Sequence, residues 1–181
     1  MVILVDMDDT IESLLDTWLE KVNEKYGRSV TRDNIVSWDT SAAFPGLTKE
    51  QVYGILLDDE FWKDVKPIPG AAEALLYFRS KGHKVFIVTS THYRSLRGKM
   101  EYLLFRWFPF IDWDDVIITS HKQMVKGDVL IDDGLHNLIG GDYKKILVDA
   151  PYNRDFDAEA NGMIRVYDWE QIKKIIDGMD G

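Results

Sequence analysis

Residues 2–10 read Val-Ile-Leu-Val-Asp-Met-Asp-Asp-Thr, a short apolar run rich in β-branched side chains that ends abruptly in the carboxylates Asp6, Asp8 and Asp9. A continuous apolar run this short reads as a strand buried on both faces, because a strand covered by helices has no solvent side on which to alternate. Three further runs share its character, at 85–88, 116–118 and 129–131, and 146–148 gives a fifth. Helical patterns lie between them. Residues 71–80 follow Pro69-Gly70 and stop at Gly82, while Leu96, Met100, Leu103, Leu104 and Trp107 recur at helical spacing before Pro109. Another helix is expected over about 168–176. Strands alternating with helices imply βαβ units, so the expected fold is α/β, a Rossmann-like parallel sheet flanked by helices.

The interval from Ile11 to Pro67 breaks this rhythm, because it is far longer than one crossover helix needs and contains no clear strand. Leu14, Leu15, Trp18, Leu19 and Val22 give one amphipathic face; Thr48 with Glu50 and Gln51 opens a second helix through Leu57; Phe61-Trp62 falls on a short third. A small helical cap inserted after the first strand is therefore expected, with the core at 1–12 and 68–181 and the cap at 13–67. At 181 residues the chain holds one core and such an insertion, not two ordinary domains of roughly 100–150 residues.

Asp and Glu number 31 against 22 Lys and Arg, a formal charge of −9, which is the wrong balance for gripping long nucleic acid or an anionic membrane. There is no cysteine, which excludes disulfides, thiolate metal sites and a cysteine nucleophile. No basic segment precedes the first apolar run, and no apolar stretch approaches the ~20 residues that span a bilayer, so the expected location is the cytoplasm.

In an open parallel sheet, ligands bind beyond the carboxyl ends of the strands. Those positions hold Asp6 and Asp8, then Thr89 and Ser90, then Thr119, Ser120 and Lys122, then Asp132 and Asp133. Carboxylates, hydroxyls and an ammonium at one sheet edge suit a Mg²⁺ ion together with a phosphate. Asp6 is the candidate nucleophile. Asp8 is the candidate proton donor and base, a role that calls for a raised pKa, expected from crowding by Asp6 and Asp9. Asp6, Asp8 and Asp132 are the candidate Mg²⁺ ligands, with Asp133 in support, and Thr89, Ser90 and Lys122 are the candidate phosphate contacts. Trp38, Phe44, Phe61 and Trp62 are candidates to stack on a base, of which one or two at most are expected to do so. Lys99 and Asn137 read only as outer contacts, and His83, His92, His121 and His136 lack the spacing of a helical zinc site.

These residues resemble the four motifs of the haloacid dehalogenase superfamily of phosphohydrolases: Asp6-Met7-Asp8-Asp9-Thr10 as DxDxT, Thr89 after the strand VFIV, Lys122, and Asp132-Asp133, in the correct order. LVDMDDT, PIPGAAEAL, VFIVTS, HKQMVKGDVLIDD and DAPYNR are similar to segments of the 5′(3′)-deoxyribonucleotidase group. Lys122 is preferred to Lys126 because it stands ten residues before Asp132, as in that group. One departure is Asp9, where many members have Gly. The resemblance implies a Mg²⁺-dependent phosphomonoesterase that dephosphorylates (deoxy)nucleoside monophosphates through an aspartyl-phosphate. Another small phosphomonoester as substrate is the alternative. A receiver-like phosphoacceptor module would use similar residues, but receivers place their paired acids first and the acceptor Asp mid-chain, before the Thr and Lys, and the long insertion also argues against it.

Overall fold

The computed structural model describes residues 1–179. Six parallel strands, β1 (Val2–Val5), β2 (Lys84–Thr89), β3 (Val116–Ile118), β4 (Val129–Asp132), β5 (Lys144–Val148) and β6 (Met163–Val166), form one sheet in the order β3-β2-β1-β4-β5-β6. β1 lies at the centre, with Val2 opposite Lys84 on one side and Ile3 opposite Val129 on the other. Alternation within the buried strands serves both faces: Ile3, Val5, Ile87 and Ile131 join the larger core, while Leu4, Val88, Leu130 and Leu147 join a smaller one on the opposite face. This is the arrangement the unbroken apolar runs imply.

β6 was not expected. It buries only Met163 and Val166, and its Arg165 is turned to the carbonyls of Asn153 and Phe156. An edge strand with a half-satisfied face need not read as an apolar run.

In the insertion, α1 (Leu14–Tyr26) buries the expected face, and α2 (Lys49–Tyr53) opens with a capping box between Thr48 and Gln51. From Gly54 the chain tightens into short 3₁₀ turns at Gly54–Leu57 and Asp59–Lys63. The outgoing and returning chains cross side by side: Ser13 N–H donates to the Lys66 carbonyl at 2.9 Å and Ile68 N–H to that of Ile11 at 2.8 Å. Trp18, Val22, Val52 and Trp62 belong to the same apolar cluster as Ile3 and Val5, so the insertion shares the core's packing.

The remaining helices are α3 (Ala71–Ser80), α4 (Phe105–Trp107), α5 (Leu135–Leu138) and α6 (Trp169–Met179). Before α4, residues Gly98–Leu104 are wound as a π-helix, a rare wide turn that is frequent at functional sites. Gly98 permits the close approach of the Asp59–Lys63 turn, since a Cβ there would lie 2.5 Å from Trp62 Cδ1 and 2.9 Å from Asp59 Oδ1. Among the described residues, no helix is long and apolar enough to cross a membrane. Gly98→Ala is expected to destabilise the fold by about 1–3 kcal/mol through overpacking, read as a lower urea midpoint. An unchanged midpoint would mean that the turn can back away freely.

Candidate active site

The chain runs outward from β1 to β2 and β3, then returns to β4 on the other side of β1 and runs outward again. The crevice between β1 and β4 is therefore the topological switch point, where the loops diverge and a ligand can reach the strand ends. Asp6 follows β1 there, with its N–H donated to the Ile131 carbonyl of β4 at 2.9 Å, and Asp132 and Asp133 stand at the end of β4.

Lys122, on the turn after β3, brings an almost wholly buried ammonium between them. Its Nζ lies 2.5 Å from Asp6 Oδ1 and 2.7 Å from Asp132 Oδ2. Asp132 Oδ1 accepts from Gly134 N–H at 2.8 Å and Asn137 Nδ2 at 3.0 Å, which fixes that carboxylate completely. Burial alone would lower the Lys122 pKa, but the charges of Asp6 and Asp132 outweigh it and hold the ammonium well above its ordinary value. Lys126, the alternative lysine, is exposed.

One ammonium cannot balance three carboxylates. Asp6, Asp132 and Asp133 are all buried, and each offers an oxygen within 4.8 Å of the others. Burial, with Asp132 and Asp8 adding to it against Lys122, raises the Asp6 carboxyl to about 7; burial, Asp132 and Asp6 raise Asp133 well above the ordinary range. A buried set of hard oxygen donors that lacks positive charge suits a divalent cation.

Asp8 lies outside the Asp6, Asp132 and Asp133 group, and its carboxyl does not show the expected rise. Its carboxylate turns away from this group to Lys99, whose buried Nζ lies 2.6 Å from Asp8 Oδ2 and 2.9 Å from Thr89 Oγ1. Burial would raise the Asp8 carboxyl, but Lys99 and a hydrogen bond from Glu12 carry it below its ordinary value. Sequence reasoning weighed the crowding acids and missed the cation. A signal was present, since Lys99 stands three residues after Leu96 and four before Leu103, on the apolar stripe itself. Glu12 is buried too, and neither its oxygens nor Asp8 Oδ1 meet a donor from another side chain or the backbone. Burial and then the charge of Asp8 push the Glu12 carboxyl well above its usual range, so a neutral Glu12 supplies the donor that two carboxylates would lack.

Asp9 takes a left-handed conformation, φ 52°, which Gly adopts without strain. Its carboxylate compensates by accepting the Leu15 N–H at 3.1 Å, capping α1 where Ser13 gives no side-chain cap.

Beside Asp8, a cleft of about 400 Å³ has Asp8, Ser90 and Lys99 among its polar lining and Leu14, Tyr53, Leu56 and Trp62 among its apolar walls. A narrower arm of about 170 Å³ runs from Asp8 past Asp133 to Trp38 and Tyr152. Of the four aromatic candidates, Trp62 and Trp38 thus line the cleft and its arm. Phe44 is sealed in the core, and Phe61 faces a separate hollow on the insertion beside Lys21 and Glu24. Periodicity does not tell which side of a 3₁₀ turn meets a cavity. Tyr53, missed in the sequence, lines both compartments.

The family model described as 5′ nucleotidase, deoxy (pyrimidine), cytosolic type C protein (NT5C) matches residues 1–179. The chain belongs to this family. It is 34% identical to a 5′(3′)-deoxyribonucleotidase of Bacillus subtilis over 175 residues, covering 96% of each, and 29% identical to one of Clostridium acetobutylicum, covering 97% of this chain and 94% of that one. The fold is similar to that of a haloacid dehalogenase-like protein from Agrobacterium tumefaciens, with a TM-score of 0.64, 12% identity and 99% of each chain covered. It is also similar to a HAD family hydrolase from Deinococcus radiodurans, solved with bound phosphate and sodium, with a TM-score of 0.60, 16% identity and coverage of 94% and 92%. This member of the NT5C family is accordingly a phosphoric monoester hydrolase with the HAD fold. Hydrolases of this kind generally use a divalent metal, and the Asp6, Asp132 and Asp133 group can hold one.

Burial, against the Leu15 N–H and Arg32, raises the Asp9 carboxyl to about 7. Below about pH 4 Asp9 is protonated folded or unfolded and has no effect. As pH rises from there, the unfolded chain ionises first, so stability falls until the folded group also titrates near 7. Asp9→Asn keeps the cap and tolerates the backbone. It is expected to raise Tm at pH 8 and leave it unchanged near pH 4. An equal Tm difference at both pH values would contradict this account of Asp9.

Proposed function

We propose that the chain is a Mg²⁺-dependent phosphomonoesterase that dephosphorylates (deoxy)nucleoside monophosphates, with Asp6 as nucleophile. The observation that carries the reading is the junction at β1 and β4: Asp6, joined to Asp132 through Lys122, lies at the switch point two residues before Asp8, which lines a cleft with apolar walls. Asp6 attacks phosphorus, the ester oxygen leaves with a proton from Asp8, and an aspartyl-phosphate forms on Asp6. Asp8, now ionised, takes a proton from water, which attacks the same phosphorus and releases phosphate. Mg²⁺, held by Asp6, Asp132 and Asp133, would supply charge to the phosphoryl oxygens as the displacement proceeds.

Lys99 links substrate binding to the proton that Asp8 must carry. A dianionic phosphate above Thr89 and Ser90 competes with Asp8 for the Lys99 ammonium, which lies 2.6 Å from one and 2.9 Å from Thr89 Oγ1. Drawn off, Lys99 no longer holds the Asp8 carboxyl down, and burial pushes it up. Asp8 then becomes the acid that the first step needs. Lys122 stays where it is, holding Asp6 in line.

The cleft favours a nucleotide over a small sugar phosphate. Its walls of Tyr53, Leu56, Leu57 and Trp62 offer apolar and aromatic faces to a base, and about 400 Å³ is within the range of small-molecule sites. Names of relatives with deoxyribonucleotidase activity point the same way. The segment 13–67 is the cap in this reading, and the cytoplasm is the compartment.

Phosphate release from a panel of nucleoside monophosphates, sugar phosphates and p-nitrophenyl phosphate, with Mg²⁺ or EDTA, tests the proposal. The expected result is turnover concentrated on deoxynucleotides, lost in EDTA and restored by Mg²⁺, with Asp6→Asn slower by at least about a thousandfold. Equal turnover of sugar phosphates would remove the nucleotide reading, and full activity in EDTA would remove the metal.

A further inference from the structure

Asp133, a cation ligand in the proposed mechanism, is held by few partners. Its Oδ1 meets only the Thr10 hydroxyl, at 3.5 Å, the limit of a hydrogen bond. Its Oδ2 accepts a close hydrogen bond from the Tyr152 hydroxyl. Tyr152 therefore carries the one short side-chain bond to Asp133 among the described residues.

Tyr152 is itself clamped. It lies in the turn Pro151–Asn153 after β5, where Asn153 Nδ2 donates to the backbone carbonyl of Asp133 at 2.9 Å and to that of Val148 at 2.8 Å. Arg165 of β6 holds the same asparagine, donating to Asn153 Oδ1 at 2.6 Å and to its carbonyl at 2.9 Å. The turn is thus tied to the end of β4 on one side and to the edge strand on the other. From the insertion comes Trp38, half of whose surface is still exposed, yet whose ring stands edge-on to Tyr152 at 5.1 Å and to His136 of α5 at 4.5 Å. It covers the phenol on the side where the narrow arm opens.

We propose that Tyr152 is a positioning residue for the cation site: its hydroxyl fixes the Asp133 carboxylate in the orientation that binds metal, and Trp38 fixes Tyr152. The proposal rests on the metal-dependent reading above and adds the residue that orients the ligand. A carboxylate free to rotate must be ordered when the metal arrives, and loss of such outer hydrogen bonds typically weakens metal binding 10–100-fold. Trp38 gives the insertion a direct mechanical link to a metal ligand, one that does not pass through substrate.

The test uses Mn²⁺ as probe and the full chain without substrate, with free Mn²⁺ read by electron paramagnetic resonance. Tyr152→Phe removes one hydroxyl and keeps the ring against Trp38. It is expected to weaken Mn²⁺ binding by about tenfold or more. Trp38→Ala is expected to weaken binding in the same direction by less, and Trp38→Phe to restore it. A thermal melt accompanies each variant; if Tyr152→Phe does not fold, the Trp38 pair carries the test. A lower Tm with unchanged Mn²⁺ affinity, in whichever variant folds, overturns the proposal and leaves Tyr152 a purely structural residue. A parent chain that binds no Mn²⁺ overturns both this proposal and the metal-dependent reading, so the two failures are told apart.

Discussion

The ion pairs of Lys122 with Asp6 and Asp132 are the contacts on which the rest of the site depends. Two strand ends carrying carboxylates meet at the centre of the sheet, and without a cation between them their repulsion in a desolvated crevice would oppose the β1·β4 pairing itself. A buried ammonium answers that at the strand ends, but only in part. Lys122 pairs with Asp6 and Asp132 while Asp133 stands beside them, so three buried carboxylates have one ammonium, and the shortfall suits a divalent ion. Burial, with the neighbouring carboxylates, raises Asp6 and Asp133 and leaves the crevice suited to a cation.

Lys99 and Asp8 are a separate balance a short distance away. Here one cation meets one carboxylate, with a neutral Glu12 behind it, so the pair is poised to change partners when an anion enters. Placing Lys99 takes a π-turn, a glycine at position 98, and a tryptophan ring packed where a Cβ would otherwise stand. Local irregularity is thus concentrated around the Lys99–Asp8 pair, including the left-handed Asp9, while the sheet that carries Asp6 is regular.

β1, β2, β4 and β5 were legible because a strand covered on both faces leaves an apolar run with no polar alternation, and Asp6, Thr89, Lys122 and Asp132 could be placed at one sheet edge because those runs stop there; β3, an edge strand, was legible as a short apolar run although none of its residues is buried. β6 was not, since an edge strand can spend Arg165 on a neighbouring loop and still bury Met163 and Val166. The direction of the Asp8 shift was misread because burial, which raises it, is outweighed by Lys99 from a distant π-helix together with a hydrogen bond from Glu12, and sequence distance says nothing of that. Phe44 and Phe61 looked like Trp38 and Trp62 in composition; only the packing of short 3₁₀ turns separates rings that seal a core from rings that line a cleft. Tyr152 meets Asp133 across nineteen residues, through a turn whose position is set by Asn153 and Arg165.

The central claim is that Asp6 itself accepts the phosphoryl group. Its most direct test is rapid acid quenching of the enzyme during turnover of a deoxynucleoside monophosphate, followed by peptide mass spectrometry. The account expects a transient phosphoryl adduct on the peptide carrying Asp6, formed and lost at rates that match turnover, and absent in Asp6→Asn. Full turnover with no adduct on that peptide at any time, or an adduct on another residue, would contradict it.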